Sequence, residues 1–334
     1  MSAGPLLDGI RARVARDQSE GDIAYFHALL LQLEYITKLA TASVVACLDE
    51  EPERHRYSLE HTLVRADSLG EWVDVLNAAL TGPAAQHFLP AASGIRRHLT
   101  ERVAEGDWRY AAVLRLREAA KRFGLDTQIG SRVALRQFFQ LGAAIRNRTR
   151  GHGAPTSADC SYACPLLAEA IGSVMGQFEL FQVPWAYLHR NLSGKYRVSQ
   201  LLGDCSPFEY LKRTRDITLP NGVFLHLDSH IHVPLVFSDP DVRDVLVPNG
   251  NFKSNTFEAI SYVTNELARM DGAAWSKPPG RLPPSETEGP IALELGATRS
   301  PTFPQCRWAT SRGTAWRPAS GKSSAERIDI PSSP

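Results

Sequence analysis

The chain has 334 residues, 43% hydrophobic and 22% charged, with 37 Lys and Arg against 36 Asp and Glu. That composition excludes wholesale disorder and collagen-like or disulfide-knotted architectures, and it leaves room for two domains at about 150 residues each. With formal charge nearly balanced, affinity for a polyanion has to come from local clustering rather than from the global field.

No run approaches the roughly 20 continuous apolar residues that cross a bilayer, and residues 1–18 lack the apolar stretch of a signal peptide. A cytoplasmic protein with no membrane partner is expected. The five cysteines, Cys47, Cys160, Cys164, Cys205 and Cys306, are sparse and odd in number, which suits reduced thiols rather than a disulfide framework.

Taken in chain order, residues 1–20 read as an N-terminal arm. From 23 to 48 the apolar residues Phe26, Leu29, Leu30, Leu33, Ile36, Ala40 and Val44 recur at steps of three and four, predicting a helix packed on one side and capped by Asp22. A second stripe, Leu59, Leu63, Ala66, Leu69, Val73, Leu76 and Leu80, predicts one helix preceded by Ser58 and ended by Gly82-Pro83, able to form a hairpin with the first. Shorter helices are expected near 95–104 and 108–123. A stronger one at 132–149 turns Leu135, Phe138, Phe139, Gly142 and Ile145 inward, and another spans 158–182, where Pro165 fits the first turn or a kink. Such helices are marginal alone, so a bundle of roughly five over residues 21–182 is predicted.

Beyond Pro184 the texture changes. Residues 187–202, 223–237 and 244–247 are rich in β-branched and aromatic residues between turn signals such as Pro220-Asn221-Gly222, predicting a small, mostly antiparallel sheet over 183–273 closed by a helix at 255–270. Residues 274–334 read as a Pro/Ser-rich linker and a disordered tail. The fold class is therefore α+β.

Between Arg96 and Arg150 thirteen Arg and Lys face five acids, a plausible phosphate-binding surface that also reads as an ordinary solvated helix face. More specific is Ile145-Arg146-Asn147-Arg148-Thr149-Arg150-Gly151-His152, at the end of a helix with a strongly apolar inner face. Arg146 lies one residue beyond the buried Ile145, and Gly151 allows a left-handed residue that swings His152 back toward it. A guanidinium supplies a planar fork for a phosphodiester whose charge grows in the transition state, and an imidazole moves a proton near neutrality. In RNA the adjacent 2′-hydroxyl is the nucleophile, so no metal or cofactor is required. Asn147 can orient His152 or hold a phosphate oxygen. The alternative reading is a plain helix end, with Arg148 and Arg150 answering the macrodipole and Gly151 as the stop.

Arg146-Asn147, four residues and His152, at the end of a long helix in a helical bundle, resembles the signature of the HEPN superfamily, over about residues 20–182. The resemblance implies a metal-independent RNase that dimerises so that two motifs share a cleft, or a relative that has lost activity. It makes Arg146 the phosphate and transition-state ligand, His152 the acid/base group and Asn147 the orienting residue, with Arg148 and Arg150 binding substrate RNA. A bundle, a small β-rich region and a Leu282–Thr287 linker are also similar to bacterial proteins in which a signalling P-loop NTPase follows. That likeness implies an NTPase partner or a lost C-terminal NTPase domain, with 297–334 a frameshifted or degenerate end, and a role in bacterial defence, as a toxin, or in stress response. Gly321-Lys322-Ser323 is rejected as a phosphate loop, because Trp316 stands where the first glycine belongs. The rival function is a non-catalytic interaction or sensor module of a truncated signalling NTPase.

Two other clusters read as structural. His226, Asp228, His230 and His232 alternate with apolar residues and are the polar face of a half-buried strand before they are a metal site. Cys160 and Cys164, with His152 and Cys205, have zinc-ligand chemistry but read as buried thiols. Trp72, Trp108, Trp185, Phe138 and Phe139 read as core rather than as base-stacking platforms.

Overall fold

In a computed structural model the fold is described for residues 4–234, apart from residues 50, 67, 126, 127, 129, 152–154, 216, 220, 221, 229 and 230; the side chains at 64, 65, 150, 151, 228 and 231–234 are likewise left aside. The described residues are mostly helical with a small antiparallel sheet, an α+β arrangement. The strand expected at 244–247, the helix at 255–270, the linker and the tail lie outside the described residues.

The centre is helix α2, Asp22–Ala46. It was expected to bury one stripe. Instead Phe26, Ala28, Leu29, Leu30, Leu33, Tyr35, Ile36, Leu39, Ala40, Val44 and Val45 are all buried, because helices α1 (Pro5–Glu20), α4 (Leu69–Thr81), α7 (Arg136–Gly151) and α8 (Ser157–Gln177) surround it. Length and apolarity would let this helix cross a membrane, but its residues are spent on the interior of the protein. Its buried hydroxyls stay satisfied locally: Thr37, Thr41 and Ser43 donate to the carbonyls of Leu33, Thr37 and Leu39 at 2.7, 2.9 and 2.7 Å.

Helix α7 packs against α2 through Gly142. A Cβ on Gly142 would stand 2.8 Å from Leu33 Cδ2, so only hydrogen fits there without displacing a fully buried leucine side chain. One turn further along α7 is Arg146.

The residues expected to be an N-terminal arm form α1. Pro5 opens it, Leu6, Leu7 and Ile10 are buried, and the Tyr35 hydroxyl donates to the Leu6 carbonyl at 3.1 Å. Gly4, at φ +50°, lies directly against the Leu201 backbone, which leaves no room for a Cβ. The single helix expected over 59–80 is two, α3 (His55–Arg65) and α4, because Ser68 and Glu71 form a capping box: Glu71 N–H donates to Ser68 Oγ at 3.3 Å and Ser68 N–H to Glu71 Oε2 at 2.8 Å. Ser58 lies inside α3, not before it. Helices α5 (Ser93–Thr100) and α6 (Trp108–Arg122) follow, and Pro165 sits within α8, where Cys160, Ala163, Cys164 and Leu167 are buried around it.

Four antiparallel strands, β1 (Trp185–Arg190), β2 (Tyr196–Leu202), β3 (Gly222–Asp228) and β4 (Ile231–Pro234), are ordered β2-β1-β3-β4. Trp185 pairs with Leu225 and Tyr187 with Val223, and this face joins the bundle core. The opposite face, Ala186, Leu188, Tyr196 and Phe224, packs on Cys205, Phe208 and Leu211. The change of texture at Pro184 is thus no break in the hydrophobic core, since Trp185 stacks on Phe181 at 6.5 Å and its Nε1–H donates to the Leu180 carbonyl at 3.0 Å.

His98 on α5 holds the joint between bundle and sheet. Its Nδ1 accepts the Glu179 backbone N–H at 3.3 Å, and its ring lies 6.0 Å from Trp108 and 6.1 Å from Phe178. Burial sets its pKa below the ordinary histidine value; the Glu179 and Asp107 carboxylates oppose that shift, and Arg109 and Arg97 reinforce it.

Two outcomes follow from this packing. Replacing Gly142 with Val should cost roughly 1–3 kcal/mol of stability in urea titration, as overpacking of a filled core does; an unchanged midpoint would show that Leu33 has room to move. Because the folded pKa of His98 is depressed, the unfolded chain takes up its proton first. The contribution of His98 is therefore complete above about pH 6.5 and is lost as pH falls through the folded value. Thermal melts from neutral to acid pH should show a loss in the wild type that His98→Asn, which keeps an acceptor but does not titrate, flattens.

Candidate functional site

The end of α7 carries the motif. Ile145 is fully buried, and Thr149 Oγ1, also buried, donates to the Ile145 carbonyl at 2.8 Å, so this turn is held by the core. Arg146 follows with its side chain 23% exposed. Its Nε lies 3.5 Å from Glu34 Oε2 on α2, and Nη1 makes a long bond of 3.4 Å to Asn147 Oδ1. Nε is itself buried, and among the described residues it makes no hydrogen bond.

Glu34 also holds Lys38, one turn along α2, at 3.0 Å, and the Lys38 ammonium lies 5.7 Å from the centre of the buried Trp72 ring on α4. Asn147 is exposed, with its amide nitrogen beside Gly70 on the first turn of α4. Two cations and one carboxylate therefore meet where α2, α4 and α7 converge. The sequence reading passed over Glu34 and Lys38. Their signal is a Glu-x-x-x-Lys pair inside a helix that is otherwise nearly all apolar, where burying charge is costly unless each partner is supplied.

The remaining motif residues divide. Arg148, two positions from Arg146 and thus on the other side of α7, donates from Nε to the carbonyl of Phe123 at 3.3 Å, at the C-terminal end of α6. The side chain expected, with Arg150, to bind substrate therefore leaves α7 on a different side from Arg146. The helix runs through Gly151, so that residue does not end it at 149 as predicted. The Arg150 side chain and His152 lie outside the described residues, so the convergence of Arg146 and His152 rests on the motif.

Of the thirteen cations in the segment 96–150, Arg109, Arg115, Lys121, Arg122 and Arg146 are paired with carboxylates. Arg109, only 7% exposed, pairs with Asp107 at 2.9 Å and Glu101 at 3.0 Å, and its hydrogen bonds hold the Asp107 carboxyl below the usual carboxylate range. Lys121 pairs with Glu118 at 2.8 Å and Arg122 with Asp159 at 2.6 Å, while Arg115 reaches Glu169. Three of these partners, Glu34, Asp159 and Glu169, come from α2 and α8, outside the segment. The charge excess read along the chain is therefore partly cancelled in space.

The cysteines among the described residues are free and buried. Burial raises the Cys47 and Cys164 thiols to about 12 and raises Cys160 and Cys205 in the same direction. Among the described residues no group of three or more His, Cys, Asp or Glu is arranged to hold a metal ion. His226 stands opposite His232 in the β3–β4 register, with an irregularity before Asp228 and the His226 ring 5.8 Å from Phe208; His230 lies outside the described residues.

Comparison of the chain with protein-family models, curated proteins and solved structures finds no match.

Removing Glu34 leaves Lys38 and Arg146 facing each other without their shared anion. Glu34→Ala should be more destabilising than Arg146→Ala, because the latter leaves Glu34 paired with Lys38. A double-mutant cycle on Glu34 and Arg146 in urea should return a coupling of roughly 1 kcal/mol, and a coupling of zero would show that the pair is incidental.

Proposed function

We propose that the chain is a metal-independent endoribonuclease of HEPN type, with Arg146 as the anion ligand of its cleft. The observation that supports this reading is the state of the Arg146 guanidinium. It is fixed on a helix turn that the core holds in place, it is half-buried, and among the described residues its hydrogen bond is a long one to Asn147, with the Glu34 carboxylate 3.5 Å from Nε. A planar fork so placed is suited to a phosphate whose charge increases in the transition state.

In the proposed reaction the 2′-hydroxyl oxygen of RNA attacks the adjacent phosphorus and the bond to the 5′-oxygen breaks, leaving a 2′,3′-cyclic phosphate and a 5′-hydroxyl. His152 takes the 2′-hydroxyl proton or supplies one to the leaving oxygen, in the role the family likeness gives it. Lys38 adds positive potential behind Arg146, and Asn147 orients the guanidinium. Two copies bring two motifs to one cleft. The reading places the reaction in the cytoplasm, in bacterial defence or stress response.

A second reading is favoured by the Glu34–Arg146 pair and by the tie of Arg148 to Phe123: the cations at this helix end serve the fold, and the chain is an interaction or sensor module. The two readings separate in one assay. With mixed RNA in the presence of EDTA, the enzyme yields cleavage products ending in 2′,3′-cyclic phosphate, and either Arg146→Ala or His152→Ala abolishes them while leaving a folded protein by circular dichroism. No cleavage by the wild-type chain, or cleavage that survives both substitutions, selects the module.

A further inference from the structure

A second group of cations lies outside the strongly basic segment 96–150. Residues 180–203 contain no Asp or Glu and carry His189, Arg190, Lys195 and Arg197. All four sit at the tip of the β1–β2 hairpin, where His189 pairs with Arg197 and Arg190 with Tyr196. Arg190 is engaged, its guanidinium 6.0 Å from the Tyr196 ring and its Nε donating to the Gly194 carbonyl at 3.1 Å. For His189, Lys195 and Arg197 no carboxylate partner is found among the described residues, and Arg197 is exposed.

The placement follows from the sheet. The face that carries Trp185 and Val223 into the bundle core continues outward through Tyr187 to the cross-strand pair His189 and Arg197. Pairing with β3 is described as far as Leu188 opposite Gly222. Beyond that point the described pairing is a two-stranded ribbon, closed by a turn in which Asn191 and Lys195 exchange backbone and side-chain bonds at 2.8 and 3.0 Å. At its apex Leu192 is fully exposed.

We infer that this hairpin is a nucleic-acid-binding ribbon whose ligand is RNA. Cations without carboxylate partners on a two-stranded ribbon answer a row of phosphates, and an apolar apex suits insertion against sugars and bases in a groove. The inference takes its class of ligand from the RNase reading, but it concerns binding at a surface separate from Arg146.

The test uses the full chain and a fluorescein-labelled 2′-O-methyl RNA, which cannot be cut by 2′-hydroxyl attack, with anisotropy followed across a salt series in EDTA. Lys195→Ala with Arg197→Ala should weaken binding and reduce the slope of log affinity against log salt by roughly 0.7 for each phosphate contact removed. Reversal of charge at both positions should weaken it further, with the melting temperature unchanged because both residues lie at the hairpin tip. Binding of wild-type strength by these variants overturns the inference. So does a wild-type chain that ignores the RNA but sediments with phosphatidylserine vesicles, the result expected if Leu192 and its cations meet a membrane. RNA binding that depends on the hairpin in a chain that cuts no RNA would sink the cleavage reading and leave this one standing.

Discussion

The structure depends on one helix being enclosed. Because α2 is packed by α1, α4, α7 and α8, each neighbour must come close enough to exclude water along its own line of contact, and at the Gly142–Leu33 crossing nothing larger than hydrogen fits without moving the leucine. That crossing sets the height and rotation of α7, and so decides that the residue one turn on, Arg146, arrives opposite Glu34 rather than in open solvent. The same enclosure explains the hydroxyls of α2, which are buried and bond back to their own helix because no water reaches them.

Charge is distributed by the same packing. Helices α6, α7 and α8 bring Arg115, Arg122 and Arg146 to carboxylates that are far away in sequence, so part of the charge of a stretch that is strongly basic when read along the chain is cancelled there. Arg146 and Arg148 differ by two positions, which on a helix is the difference between the Glu34 carboxylate of α2 and the end of α6.

The sheet acts as a further layer on the bundle. Trp185, Val223 and Leu225 enter the same core as α2, while Phe208 and Leu211 close the opposite face. His98 and Glu179 sit at the seam, and Gly94 faces the Glu179 carboxylate so closely that a side chain there would displace it. A half-buried imidazole that accepts a backbone N–H ties the order of the seam to the protonation of one ring.

Periodicity was enough to locate α2, α6, α7 and α8 and the inward residues Leu135, Phe138, Phe139 and Ile145, because a buried face needs apolar side chains at helical spacing whatever it packs against. The Arg146-Asn147 pair was legible for a similar reason: polar residues that follow directly on a buried one at a helix end stand out. Other features could not be read that way. Apolar residues continue through Ala66 and Leu69, so the break there shows only in the Ser68–Glu71 cap. The burial of α2 on all sides, the Glu34–Lys38–Arg146 cluster, the tie from Arg148 to Phe123 and the cancelling of the basic run all depend on which helices become neighbours. A pattern along one helix records the width of its apolar face but carries no information about the partner that covers it, and that choice was made only by the tertiary packing.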